Sequence, residues 1–211
     1  GRRAEAPCGL ADLRGLVRPS VLRMALPNII IGFGAATLIP YLALFFKGKF
    51  PISDGQLGLL YSLGAITTGL ATVVGPRIAE RLGGKVRAVV FTQGLSVAFL
   101  LVVGFAPAFW LSGLAFLIRG ALMNMSNPLY SAFAMERTPE RERAAVNSVM
   151  QLMWEVGWTV GPYLSGVVQA RYGFAPLFLS TAALYSLAIL LTWGFFRDAE
   201  GRAPAAAADA V

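Results

Sequence analysis

Residues 88–118 read AVVFTQGLSVAFLLVVGFAPAFWLSGLAFLI, the longest stretch of the chain without a charge. A bilayer core takes about 20 apolar residues per helix. This run is too long for one span, and it breaks at Phe105-Ala106-Pro107, which leaves room for two spans joined by a short turn. The same pattern recurs on both sides. Met24–Phe46, Gly55–Pro76, Gly120–Met135 and Tyr172–Phe196 carry no charge either. Strands of a membrane β-barrel would alternate apolar and polar residues over about ten positions. These runs are continuously apolar, so helices are expected.

Composition agrees. Of the 211 residues 56% are hydrophobic and 14% charged, against about 45–50% and about 25% in ordinary globular domains. The sequence therefore predicts an all-α polytopic membrane protein. Six helices are expected, over Leu22–Phe46, Ser53–Ala79, Ala88–Phe105, Ala108–Met135, Ala144–Tyr172 and Pro176–Phe196. Residues 1–21 read as a cytoplasmic linker or amphipathic segment and 197–211 as a disordered cytoplasmic tail. Within the first, Leu10, Leu13, Leu16 and Val17 recur at helical spacing among arginines. That suits a helix on the membrane face or a linker from a preceding domain. The chain begins at Gly1, without Met, and residues 1–20 contain four arginines and no apolar signal-peptide core. A partial chain is expected.

Local signals mark several ends. Ser53-Asp54-Gly55-Gln56 is a capping box before the second helix. Thr138-Pro139-Glu140 reads as an N-cap and an N1 proline before the fifth. Gly83-Gly84 closes the turn after the second.

The net charge of +7 could suggest nucleic acid, but its distribution does not. Fourteen of the 18 Lys and Arg lie in the N-terminal stretch, the second and fourth loops and the C-terminus. Lys47, Lys49 and Arg171 are on the opposite side, and Arg119 lies within a span. Basic residues gather in cytoplasmic loops. Both termini are thus expected in the cytoplasm of a multi-pass protein of the cell membrane, with the bilayer as partner. The single Cys8 gives no disulfide framework, and the absence of His removes His-based catalysis and His metal ligation. No enzyme, metal or cofactor is expected.

Two ionisable side chains fall near mid-span, Arg119 in the fourth helix and Glu155 in the fifth. Their depths differ by about five residues, roughly 7–8 Å at the helical rise. A charge at the bilayer centre costs about 2.5–3.5 kcal/mol on insertion scales, so each needs a partner or a watery cavity. Two readings stand: a structural ion pair, or a substrate or coupling-ion site. Asn147, Gln151, Glu155 and Thr159 form a polar stripe on the fifth helix. Gly157, Gly161 and Ser165 form a stripe of small residues that would let a neighbour approach closely. Pro162 should kink that helix. Arg119, Met123, Asn127 and Tyr130 share a face of the fourth helix, with Asn124 nearby, and Asn28 is the polar residue of the first. Asn and Gln are costly to leave unpaired in lipid. Hydroxyls such as Thr67, Thr68 and Thr72 usually bond their own backbone. Trp154 and Trp158 beside Glu155 read as packing, with a substrate-stacking surface as the alternative, and Trp110 and Trp193 as interface anchors. Helices three and six, poorer in polar groups, are expected outside.

The loop Gly75-Pro76-Arg77-Ile78-Ala79-Glu80-Arg81-Leu82-Gly83-Gly84-Lys85-Val86-Arg87 resembles the loop motif of the major facilitator superfamily. Glu80 matches its acid, Arg81 its basic residue, Gly83 its second glycine and Lys85 the first of its closing basic residues. Pro76 and Val86 depart from it. Gly157-x-x-x-Gly161-Pro162-x-x-x-Gly166 is similar to the glycine-proline motif of the family's exporters, and Arg119-Gly120 resembles its buried arginine. The resemblance implies the C-terminal six-helix half of a twelve-span transporter, built of two inverted three-helix repeats. It implies alternating-access movement of a small-molecule solute, with ion-gradient-coupled export. The missing N-terminal half, or a second copy acting as a homodimer, would be the partner. Glu80, Arg81, Gly83 and Lys85 would act as a latch on one conformation, and Gly157, Gly161, Pro162 and Gly166 as a packing motif. A sensor or assembly factor that kept the fold without transporting is the alternative.

Overall fold

The structure is a computed structural model and describes residues 19–197. The amphipathic reading of residues 10–18 and the tail reading of 198–211 lie outside the described residues. Those that are described are helical, with no strand among them. We number the long helices in chain order. α1 runs over Pro19–Leu38, tightens to a 3-10 turn at Ile39–Tyr41 and resumes over Leu42–Lys49. α2 is Asp54–Arg81, α3 Lys85–Phe105, α4 Phe109–Glu136, α5 Arg143–Tyr172 and α6 Ala175–Phe196.

The ends follow from local chemistry. Ser53 Oγ accepts from the Gln56 N–H at 3.2 Å, and the Ser53 N–H donates to Gln56 Oε1 at 2.9 Å, so the expected capping box starts α2. Lys47 pairs with Asp54 across the preceding turn. Gly83 and Gly84 take φ of 75° and 149°, conformations open to residues without Cβ, and they reverse the chain between α2 and α3. The break in α1 falls at Pro40, which has no N–H for the helical ladder; the sequence pattern had run straight through it. A correction applies before α5. Thr138 does not cap that helix: its hydroxyl donates back to the Ala134 carbonyl at 2.8 Å. A 3-10 turn at Glu140–Glu142 intervenes, and α5 starts at Arg143 with no side-chain cap.

The helices pack as an open arc in the order α5, α1, α6, α3, α4, α2. α3 and α6 also pack on each other at its back, while α2 and α5 form its ends. The core divides in two. At the end of Lys49, Ala106 and Phe174, the rings of Phe45, Phe46, Phe50, Phe109, Phe174 and Phe178 meet edge to face in a continuous cluster. At the other end Val21, Val86, Val89, Phe133, Val146 and Phe196 form a second core. There Lys85 pairs with Glu136 and the Arg143 guanidinium donates to the Met135 carbonyl at 3.0 Å.

The outer surface is apolar. Leu59, Ile66, Leu70 and Val73 on α2 and Leu152, Val156 and Tyr163 on α5 are all more than half exposed. A water-soluble monomer rarely shows a contiguous apolar surface of that extent. Among the described residues four helices are long and apolar enough to cross a membrane: Val21–Lys49, α2, α3 and α6. α4 and α5 hold the Asn, Gln, Arg and Glu side chains that lower their hydropathy.

Candidate functional site

The hollow of the arc is one cleft in two joined parts that share Asn127 and Trp154. The first spans about 770 Å³, part of it open to solvent, and lies toward the α4–α5 connection. Five carboxamides line it: Asn28, Gln93, Asn127, Asn147 and Gln151. The second spans about 1070 Å³, part of it open to solvent, and runs toward the aromatic end, between Tyr61, Phe116, Arg119, Trp154, Trp158 and Tyr185. Among the described residues no Asp or Glu lines either part.

Arg119 is 5% exposed. Its guanidinium donates to Tyr185 Oη at 3.0 Å and lies over the Tyr185 ring, 5.8 Å from the centroid. Its backbone carbonyl accepts from Ser96 Oγ at 3.3 Å. It does not pair with Glu155. α4 and α5 do not pack along one another, and the exposed Glu155 instead accepts from Gln151 Nε2 at 3.2 Å on its own helix. The ion-pair reading of these two residues therefore does not hold.

Asn28 Nδ2 donates across to the Met150 carbonyl at 3.4 Å, which links α1 to α5. Tyr130 is buried and donates to the Met24 carbonyl at 2.5 Å, so it fastens α4 to α1. Asn124 donates to Gly120 on its own helix at 2.9 Å. Asn127 is exposed where the two parts of the cleft meet. Three buried polar atoms have no partner among the described residues: Gln93 Oε1, Arg119 Nε and Trp158 Nε1. Each belongs to a side chain lining the cleft. Natives leave few such atoms, and each calls for an explanation.

The glycine-proline segment seats α5 on α1. A Cβ on Gly157 would stand 2.9 Å from the Phe33 nitrogen, and one on Gly161 2.8 Å from Ala36 Cβ. Tyr41 donates to the Pro162 carbonyl at 2.8 Å, and its hydroxyl fills the space a Cβ on Gly166 would need. The helix continues through Pro162 to Tyr172. In the loop motif Glu80 and Arg81 are exposed, Gly83 makes the turn and Lys85 reaches Glu136 at the end of α4.

Sequence reasoning passed over Gln93 and Tyr185. It expected α3 and α6 outside. They do form the back of the arc, yet α3 sends Gln93, and α6 Tyr185 and Thr192, into the cleft. A lone mid-span carboxamide and a lone mid-span tyrosine were the available signals.

The sequence model of the Major Facilitator Superfamily matches residues 24–210. The chain belongs to that superfamily. Curated superfamily relatives include a multi-drug resistance efflux pump PmrA homolog of Lactococcus lactis, 29% identical over 80% of this chain and 42% of its own length. The multidrug resistance protein MdtG of Proteus mirabilis is 23% identical over 84% of this chain and 44% of its own. The uncharacterized MFS-type transporter YhhS of Escherichia coli is 26% identical over 87% and 44%. This superfamily chain thus spans less than half the length of the curated relatives it matches. Family and apolar helices together make it a multi-pass membrane protein.

Proposed function

We propose that the chain is a six-span half of a transporter that moves a small solute by alternating access, coupled to an ion gradient and in the direction of export. The observation that carries this is the cleft in the hollow of the arc, lined by polar side chains from all six helices. A second six-helix unit, preceding in the same protein or supplied by another copy, would close the open side of the arc. Export is suggested by the efflux and multidrug names of two relatives.

Six spans are supported by the lengths of α4 and α5, 28 and 30 residues, beyond the roughly 20 that a bilayer requires. Inverted repeats are supported by the packing. If α1–α3 are exchanged with α4–α6, the α1–α5 contact becomes α4–α2, α1–α6 becomes α4–α3, and α3–α6 maps onto itself. The basic asymmetry supports cytoplasmic termini in the cell membrane. Glu155 is the coupling candidate: it is exposed at the open end of the arc, tied only to Gln151. Gln151, Asn127 and Arg119 would meet solute, with Asn28, Asn124 and Tyr130 positioning the helices around it.

The test is transport in proteoliposomes by the protein together with its second half. An imposed proton or sodium gradient should drive solute flux. Glu155→Gln should abolish gradient-driven flux and leave folding intact, since no partner charge is stranded. Absence of flux in the complete protein rejects the transport reading; undiminished flux in Glu155→Gln rejects the coupling role alone.

A further inference from the structure

The transport reading leaves the solute's chemistry open, and the first part of the cleft bears on it. Four polar side chains that line it are exposed: Asn127 and Ser131 on α4, and Asn147 and Gln151 on α5. The members of each pair are four residues apart, so they lie on one helix face, roughly 6 Å from each other along the axis. Asn127, Ser131 and Asn147 make no side-chain hydrogen bond among the described residues. Gln151 gives an N–H to Glu155, and Asn28, on α1, gives one to the Met150 carbonyl. The amide oxygens of both remain as acceptors.

The lining of this part carries no charge. Among the described residues Tyr130 is its one titratable group, a phenol that is neutral at ordinary pH and already donates to the Met24 carbonyl. Arg119 lines the other part, and Glu155 lines neither. An ion entering here would give up water without meeting a counter-charge, which is costly. A wholly apolar solute would strip water from the carboxamides and leave them unpaired, which is costly too. A solute with one amide or one ketone would serve one or two of them. A polyol carries a hydroxyl for each, and a hydroxyl, like a carboxamide, both gives and accepts. Trp154 lines the same part, and an aromatic wall suits the C–H faces that a sugar ring presents between its hydroxyls.

We infer that the first part of the cleft takes an uncharged polyhydroxylated solute of monosaccharide size. The inference rests on the transport reading for its biological sense and on these exposed, uncharged side chains for its chemistry.

Glycosides that differ only in charge and hydroxyl content test it. The probes are the methyl β-pyranosides of glucose, galactose and mannose, the uronate and the 6-amino-6-deoxy counterpart of each, and 2-methoxytetrahydropyran, the same ring without hydroxyls. Each is titrated into the complete protein in nanodiscs of zwitterionic lipid and followed by ligand-detected NMR. At least one neutral glycoside should bind about tenfold or more tighter than its uronate, its amine and the bare ring, the margin expected for the loss of one or two hydrogen bonds or for an uncompensated charge. A smaller margin, or no binding by any of the three, overturns the inference. Asn127→Leu and Asn147→Leu strand no partner, so both should fold, and each should weaken the preferred glycoside about three- to tenfold. Affinity unchanged in both variants places the glycoside elsewhere and overturns the inference. A glycoside bound with the stated margin but never carried across a proteoliposome membrane rejects the transport reading alone. Gradient-driven flux of another solute, with no glycoside bound, rejects the solute class alone.

Discussion

α5 and α2 hold matching places at the two ends of the arc, each against one inner helix, but they are seated differently. α5 lies on α1 backbone to backbone. Gly157 and Gly161 leave no room even for a methyl group against Phe33 and Ala36. α2 lies on α4 through side chains: a Cβ on Gly75 would meet Met125 Cγ at 2.9 Å, and one on Gly64 would meet the Phe116 ring at 3.3 Å. Backbone cannot yield without moving a helix, whereas a methionine can turn about three bonds. The α1–α5 seam is therefore a fixed joint and the α4–α2 seam a padded one, although the same helix positions are occupied.

One substitution, glycine to alanine, breaks or sharpens that contrast at three depths. Gly161→Ala carries the largest effect, because the added carbon meets both Cβ and the carbonyl carbon of Ala36, at 2.8 and 3.1 Å. A loss of about 1–3 kcal/mol is expected, read as a drop in thermal midpoint in detergent. A midpoint equal to the parent's would show that α1 gives way and that the joint is not fixed. Gly75→Ala should cost less than about 1 kcal/mol, since Met125 can swing aside. A loss as large as that of Gly161→Ala would erase the distinction between the seams. Gly69→Ala is the smallest change. A Cβ there meets nothing within 4 Å, and alanine favours helix over glycine by up to about 1 kcal/mol. Its midpoint should hold or rise slightly, and a clear fall would reveal a contact on the open face of α2.

Much of this was legible in the sequence because each signal was local to one helix. The capping box at Ser53, the stripe of Gly157, Gly161 and Ser165, and the buried charge at Arg119 all announce themselves within a turn or two. What was not legible depends on a second helix. The depths of Arg119 and Glu155 allowed a pair, but helix order placed α4 and α5 apart and gave Arg119 the phenol of Tyr185. Gln93 looked isolated on an apolar helix until Ser126 came to lie beside it, 3.1 Å from its Nε2. That left its oxygen buried and without a partner among the described residues. Thr138 reads as a helix start by its neighbours in sequence, but a threonine hydroxyl can equally bond the turn before it, and here it does. Pro40 broke the first helix at a point where hydropathy, blind to the missing N–H, saw nothing.

Lys49 sits where α1 ends. Its ammonium donates to the Gly104 carbonyl at 2.6 Å near the end of α3, between the rings of Phe45 and Phe50. The Phe178 ring of α6 presses on the same glycine. Three helices are thus riveted at one small patch, and none of them can slide there without parting the others. What remains to them is swing. The aromatic end becomes a fulcrum, and any travel of the helices grows with distance from Lys49, greatest at the far end where Lys85 meets Glu136.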